Sequence, residues 1–413
     1  MIIIKNFSIS LFILLVIFAD LKVTISPYIH WIAWLVLIFP LFMLSIYKKG
    51  IVKSPLLWLG LFIFFLGVVS SLFTGLNIET VIQCVKILLI FSTLYFFLYY
   101  SNFKWESVVK IINLSVLINV IFLMIGTIGG TVLATLMTAD GRWGTILAYP
   151  GSLVKIGVLG FYINVMSVLL LHKKDKIFPI LMLILSMYII FMDGSRTGML
   201  TVLLTLPIII FFYAILNYKN KIKFVMLPTI FIIVLSASVI FAIPILKESR
   251  IGNNIMNILQ SSSVDEALKK IDPARYSMYL EAMNKILENP FIGSGAFTTV
   301  GNIEDSAGMV VHNTYLQVWG DFGLFGLAGI FLVYFGWFAL VPRILNKLQN
   351  NINLKENVVV CCSILILTYF ILNGLFHPYS TEMSEWILYI IPLTICYSFF
   401  AKEIQLKQIK VKL

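Results

Sequence analysis

The sequence predicts an all-α integral membrane protein with about twelve transmembrane helices and one large helical loop outside the membrane. Of the 413 residues, 60% are hydrophobic and only 12% are charged, whereas soluble domains carry about 25% charged residues. In such a chain, apolar runs of about 20 residues are long enough to cross a bilayer. Twelve runs approach this length, at about residues 8–25, 29–47, 55–73, 80–100, 108–127, 152–171, 177–192, 198–216, 223–245, 313–341, 357–376 and 385–401.

The first run resembles a signal peptide because it directly follows Lys5. It lacks a cleavage site of small residues before Asp20, so we predict a retained first span. The four cysteines all lie inside apolar runs. This placement indicates neither a disulfide framework nor a zinc site.

The basic residues predict the orientation. The net charge of +11 comes from lysines that lie in short clusters between apolar runs, which is the pattern of a topology signal rather than of nucleic-acid binding. With a cytoplasmic N-terminus, every short cytoplasmic connection carries at least two positive charges. We therefore expect a multi-pass membrane protein with both termini in the cytoplasm and no nucleic-acid partner.

The spacing of the runs divides the chain into three parts. Residues 1–245 are predicted to form spans one to nine, residues 246–312 a large outer loop, and residues 313–413 spans ten to twelve. A structureless loop of that length is uncommon, so helices are expected within it. Ser263 with Glu266 reads as a capping box, and Asp272-Pro273 reads as the start of a helix that runs to about Asn289. In that helix one apolar stripe is expected, formed by Ala274, Met278, Ala282 and Ile286.

The arginines are distributed differently from the lysines. Four of the five lie in outer segments, and an arginine fork suits bidentate binding of phosphate or carboxylate. Arg196 lies in the outer turn Asp193-Gly194-Ser195-Arg196-Thr197-Gly198, just before a helix whose free N–H groups also favour anions. The alternative is a structural turn in which Arg196 pairs with Asp193. Arg275 is either part of an anion site or a solvated residue on the polar face of its helix.

His312 begins the tenth predicted span. The N-terminus of a helix disfavours a charged imidazolium, so His312 should stay neutral and able to accept a proton. The alternative is a structural histidine. Asn313, Gln317 and Asp321 follow at i, i+4 spacing and are expected to face a cavity rather than lipid. Glycines at 320, 323, 326 and 329 should permit close helix packing.

Four segments in order resemble the bacterial O-antigen polymerase and O-antigen ligase superfamily. They are Gly141-Arg142-Trp143-Gly144, the turn SRTG at 195–198, Arg275 followed by NPFIGSG, and HNTYLQVWGDFGLFGL at 312–327. The resemblance covers residues 141–330 by motif and the rest by topology. The early segment continues as TILAYPGS, without the Asn-Pro-Asn expected there, which makes Arg142 the weakest match.

The resemblance implies a GT-C-like glycosyltransferase whose donor is a glycan on undecaprenyl diphosphate. Arg196 and Arg275, with Arg142 as a third, would bind the diphosphate, and His312 would be the general base. Asn313, Gln317 and Asp321 would support them. No metal and no other cofactor is expected, because a diphosphate is a good leaving group and the outer segments hold no carboxylate cluster.

The resemblance does not distinguish between two reactions of this superfamily. A polymerase joins repeat units that sit on the same lipid carrier, and a ligase transfers the finished glycan to lipid A core or to protein. The polymerase is the first expectation because it accounts for more of the family's variation. Membrane lipid and the acceptor glycan are expected partners, with a chain-length regulator as a further candidate. A transporter is the alternative that is not an enzyme, and Glu79, Gln83 and Lys86 on one helix face are its candidate site.

Overall fold

The computed structural model of the protein describes residues 2–48, 55–74, 78–99, 106–129, 141–217, 260–263, 266, 269–270, 272–301 and 308–412. Within these ranges the secondary structure is helical, apart from turns, loops and one isolated bridge between Val300 and Val310. The predicted all-α class is therefore confirmed.

The helices follow the predicted apolar runs. In chain order they are α1 (Ile2–Ile17), α2 (Leu21–Thr24), α3 (Ile29–Ala33), α4 (Phe39–Lys48), α5 (Pro55–Ser70), α6 (Ile78–Tyr99), α7 (Glu106–Gly129), α8 (Ser152–Leu170), α9 (Ile177–Asp193), α10 (Arg196–Asn217), α11 (Pro273–Glu288), α12 (Thr314–Phe335), α13 (Val341–Asn350), α14 (Leu354–Asn373) and α15 (Met383–Lys412). A π-helical segment, Trp34–Ile38, joins α3 to α4.

In the described ranges, seven helical segments are long and apolar enough to cross a membrane. Four shorter apolar helices, at Asn6–Ile17, Ile29–Leu44, Ile177–Asp193 and Met383–Phe399, coincide with further predicted runs. The predicted span at 223–245 lies outside the described residues. These helices identify an integral membrane protein of the all-α class.

The centre of the bundle is formed by α8, α14 and the apolar part of α15. In α8 and α14, 78% and 72% of the apolar window is buried, against half or less in the other long apolar segments, and most residues of Met383–Phe399 in α15 are buried as well. Helix α12 packs on α5 through glycines, as the sequence predicted. A Cβ at Gly67 would lie 2.3 Å from the backbone nitrogen of Gly326, and one at Gly329 would lie 2.2 Å from that of Phe64.

The described part of the large loop contains one complete helix, α11. It begins as predicted, with Pro273 in its first turn and the Asp272 carboxylate accepting the N–H of Arg275 at 3.1 Å. The predicted stripe is its buried face, because Met278, Ala282 and Ile286 are all at most 3% exposed. Met278 and Ala282 pack with Val311, so α11 lies against the beginning of α12. Upstream, Ser263 Oγ accepts the N–H of Glu266 at 3.2 Å, as the capping box requires.

Candidate functional site

Helix α12 is broken at Gly323, and this break organises the end of the bundle at which α12 begins. Gly323 has φ 68°, a conformation that a β-carbon disfavours. The loop of residues 289–301, here called the strap, enters the break. The N–H groups of Ser294 and Gly295 donate to the carbonyls of Gly320 and Asp321, both at 2.9 Å, and that of Leu324 donates to Pro290 at 2.9 Å. The strap thereby satisfies backbone groups that the break leaves without helical partners.

The Asp321 carboxylate fixes the strap a second time. It accepts the N–H of Phe297 at 2.9 Å, the N–H of Thr299 at 3.0 Å and the hydroxyl of Thr299 at 2.7 Å. Asp321 is 1% exposed, and a buried carboxylate is tolerated only with such a set of donors. Asp321 and the strap, together called the strap junction, form a rigid support for the neighbouring site.

The polar ladder of α12 therefore differs from the expectation. Asn313 is the N-cap, because its Oδ1 accepts the N–H groups of Tyr315 and Leu316 at 3.0 and 3.1 Å. Gln317 accepts the N–H of Tyr379 at 2.7 Å and donates to Asp321 at 3.3 Å. The three side chains bond to protein instead of facing an open cavity. These hydrogen bonds connect α12 to the segments around it.

His312 lies one residue before this cap. Its Nδ1 is 3.0 Å from the carbonyl oxygen of Val310. Because a carbonyl can only accept, Nδ1 carries the proton and Nε2 keeps the lone pair. Within the described ranges Nε2 forms no hydrogen bond, so His312 is in the tautomer that a base requires.

Electrostatics also keep His312 neutral. Burial lowers the pKa of His312 below its ordinary value, and the positive charge of Arg275 lowers it further, while the Val310 carbonyl and Asp272 act in the opposite direction. The direction agrees with the sequence prediction, but the largest cause is burial rather than the helix N-terminus. At neutral pH the ring is able to accept a proton.

Arg275 is brought to His312 by the packing of α11. Its side chain is 35% exposed and forms an ion pair of 3.3 Å through Nε with Asp272. The contact of Met278 and Ala282 with Val311 places the first turn of α11 beside residue 312. Asp272, Arg275, Val310, His312 and Asn313 form what is here called the His312 corner. It combines a cation of fixed charge with an uncharged base.

Arg142 is held elsewhere, by Asp193 at the end of α9. Its Nε donates to the Asp193 carbonyl at 3.0 Å and one terminal nitrogen to the carboxylate at 2.8 Å. The other carboxylate oxygen accepts the N–H groups of Gly151 and Val154 at 2.7 and 2.9 Å. Asp193 therefore pairs with Arg142, and the Arg196–Asp193 pair that the sequence offered as an alternative is not tested by the described side chains. Arg196 begins α10, and its side chain lies outside the described part of the structure.

A polar cavity of about 220 Å³ adjoins the His312 corner. Thr314, which follows the corner on α12, lines it and donates its hydroxyl to the carbonyl of His377 at 2.9 Å. Lys155 and Glu385 form an ion pair in its wall. Burial lowers the pKa of His377 to about 3, and the charge of Lys155 acts in the same direction.

Sequence reasoning did not single out Lys155 and Glu385. Both lie at the ends of apolar runs and are separated by 230 positions, so no local pattern joins them. The sequence signal that could have identified them is that each is an ionisable residue inside a predicted span. His377 was visible only as a histidine in the last predicted outer loop.

The candidate transport face is occupied by a protein contact. Lys86 forms an ion pair of 3.1 Å with Glu382, and Gln83 accepts a hydrogen bond from the hydroxyl of Thr381. This face of α6 therefore positions the segment that precedes α15.

A comparison with known protein families finds a match within the chain. Residues 180–331 match the Wzy_C family model, described as O-antigen ligase. This range extends from α9 into α12 and contains Arg196, Arg275, the strap and His312, but not Arg142, Lys155 or His377. A search of curated proteins found no match to the chain. This match confirms the predicted resemblance to the O-antigen polymerase and ligase superfamily over residues 180–331.

Proposed function

We propose that the protein is a polysaccharide polymerase that joins oligosaccharide repeat units carried on undecaprenyl diphosphate, at the outer face of the bacterial cytoplasmic membrane. The observation that carries this proposal is the His312 corner. There a neutral histidine with its Nε2 lone pair available lies beside the charge of Arg275, inside the matched family domain. The polymer is an O-antigen or a related surface polysaccharide.

His312 acts as the general base. Its Nε2 takes the proton of the acceptor hydroxyl while that oxygen bonds to the anomeric carbon of the donor. The bond between the anomeric carbon and the diphosphate oxygen breaks, and the lipid diphosphate leaves with the electron pair. Proton transfer to a positioned base typically contributes about 10²–10⁴-fold to the rate.

Arg275 and Arg196 bind the diphosphate and stabilise the charge that develops as it leaves. Arg275 is suited to this role because its pairing with Asp272 is through Nε alone and is partly exposed. Arg142 is the weaker third candidate, since Asp193 engages its guanidinium through two nitrogens. Of the three arginines, Arg275 is the one whose substitution tests this role most directly.

The lysine clusters support an orientation in which both termini are cytoplasmic. Residues 1–245 and 313–413 then form the membrane bundle, and residues 246–312 the outer loop. A cysteine at Ser262 should react with an impermeant thiol reagent added to intact cells, and one at Asp175 should react only after permeabilisation. Both positions are exposed, so the reverse result would place the His312 corner in the cytoplasm and remove the proposed substrate.

The second candidate function is ligation of the finished glycan to lipid A core or to protein, and the match to a family described as O-antigen ligase favours it. Deletion of the gene separates the two. A strain without the polymerase should carry a single repeat unit on its core, whereas a strain without the ligase should carry none. Complementation with His312→Ala at normal membrane abundance should reproduce the deletion, and full complementation would remove the proposed base.

A further inference from the structure

The polar cavity beside the His312 corner lies where several parts of the bundle meet. Lys155 comes from α8, Tyr334 from α12, Asn373 from α14 and Glu385 from α15, and the segment containing His377 closes it. Its volume is about 220 Å³. This is room for a small polar molecule.

Two largely buried side chains in the wall have polar groups without hydrogen-bond partners among the described residues. Asn373 is 8% exposed and Tyr334 is 4% exposed, and the amide of the first and the hydroxyl of the second bond to no described group. Both residues line the cavity. A molecule bound there can therefore supply hydrogen bonds that the protein leaves unmade.

The side chains that line the cavity have no net charge, which favours binding of an uncharged molecule. Lys155 and Glu385 neutralise each other, and His377 is held neutral by burial. A phosphate would gain nothing from this set, unlike at Arg275. Amide, carboxylate and phenol groups together donate to and accept from vicinal hydroxyls, and the rings of Tyr334 and Phe370 provide an apolar surface.

The cavity is also placed to serve the reaction. Thr314 lines it two positions after His312, and the charges of both His312 and Arg275 act on His377. A molecule in the cavity thus lies next to the proposed base.

We propose that this cavity binds one monosaccharide ring of the repeat-unit glycan, with Asn373 and Glu385 bonding to its hydroxyl groups and Tyr334 and Phe370 against its apolar side. The inference rests on the proposed glycosyl transfer and adds the subsite that holds the sugar. It assigns Lys155 to keeping Glu385 ionised and in position.

The test is a titration of full-length protein in lipid nanodiscs with the free repeat-unit oligosaccharide, released by mild acid from its lipid diphosphate. Asn373→Leu keeps the approximate shape of the side chain and removes its donors and acceptor, so the Kd should rise about tenfold. If the Asn373→Leu protein does not fold, Asn373→Ala is the second variant, because the smaller side chain requires no added space. Glu385→Gln should also weaken binding.

Two controls make the result specific. Thr368→Val removes a hydroxyl on the same helix that bonds only to the carbonyl of Ile364, and its Kd should equal that of the wild type. His312→Ala should also bind normally while losing transfer, because His312 does not line the cavity. If the oligosaccharide fails to bind the wild type, or binds both Asn373 variants equally well, the sugar subsite is wrong. Loss of transfer in His312→Ala would still support the proposed function, so the two failures are distinguishable.

Discussion

The strap junction and the His312 corner both adjoin helix α12, but the polar groups of the two regions are hydrogen-bonded in opposite ways. At the junction, Asp321 is 1% exposed and accepts four hydrogen bonds from the strap. At the corner, the Nε2 of His312 has no described partner, and Arg275 is about one-third exposed. The hydrogen-bonding capacity of the Asp321 carboxylate is therefore used by the fold, whereas that of His312 Nε2 is left for a substrate.

The largest expected effect is at the corner. His312→Ala should reduce glycan formation by about 10²–10⁴-fold, because the acceptor hydroxyl loses its base, while membrane abundance stays normal. The measurement is abundance by immunoblot together with glycan formed, for the same cells. His172→Ala is the matched control, since this exposed histidine lies at the cytoplasmic end in the proposed orientation. If the variant instead has low abundance and normal activity per molecule, His312 has a structural role. The two regions would then not differ in the way proposed.

At the junction the expected effect is on folding. Asp321→Ala removes the acceptor of two backbone N–H groups and two hydroxyls of the strap, and each unsatisfied buried donor costs about 1–3 kcal/mol. The thermal midpoint of the purified protein and its membrane abundance should both fall. Asp175→Ala, at an exposed position, should change neither. Unchanged stability with lost turnover would instead move Asp321 into the reaction.

The arginines allow a smaller and sharper test. Arg275→Lys should lower glycan formation severalfold at unchanged abundance, because a point charge replaces a bidentate fork. Arg142→Lys should mainly lower abundance, since it breaks the two-point contact with Asp193. The pair is assayed for abundance and for product per molecule. If the two lysine variants have the same abundance and the same product per molecule, the greater exposure of Arg275 does not reflect a role in substrate binding.

Sequence patterns predicted the features that neighbouring residues encode. The apolar runs predicted the helices, Asp272-Pro273 predicted the start of α11, and the glycines of α12 predicted its close approach to α5. The strap junction was not predicted, because Gly323 reads equally as a packing glycine and as a break. The cavity was missed for a related reason: the Lys155–Glu385 pair exists only after α8 and α15 meet in the folded bundle.

The central claim is that a neutral His312 accepts a proton, and the acid side of the pH–rate profile tests it most directly. The lowered pKa of His312 keeps the free base dominant at pH 7. The rate should therefore stay level as the pH falls through 6.5, the ordinary value for histidine. It should then decline about tenfold per pH unit below the lowered pKa.

The measurement is kcat/KM of the reconstituted protein with lipid-linked repeat units, between pH 5 and 8, for the wild type and for His312→Gln. The account predicts that the acidic decline is present in the wild type and absent from the residual activity of the variant. If His312→Gln keeps wild-type turnover, or if its residual activity declines with the same apparent pKa, the proton is accepted by another group and the central claim is wrong.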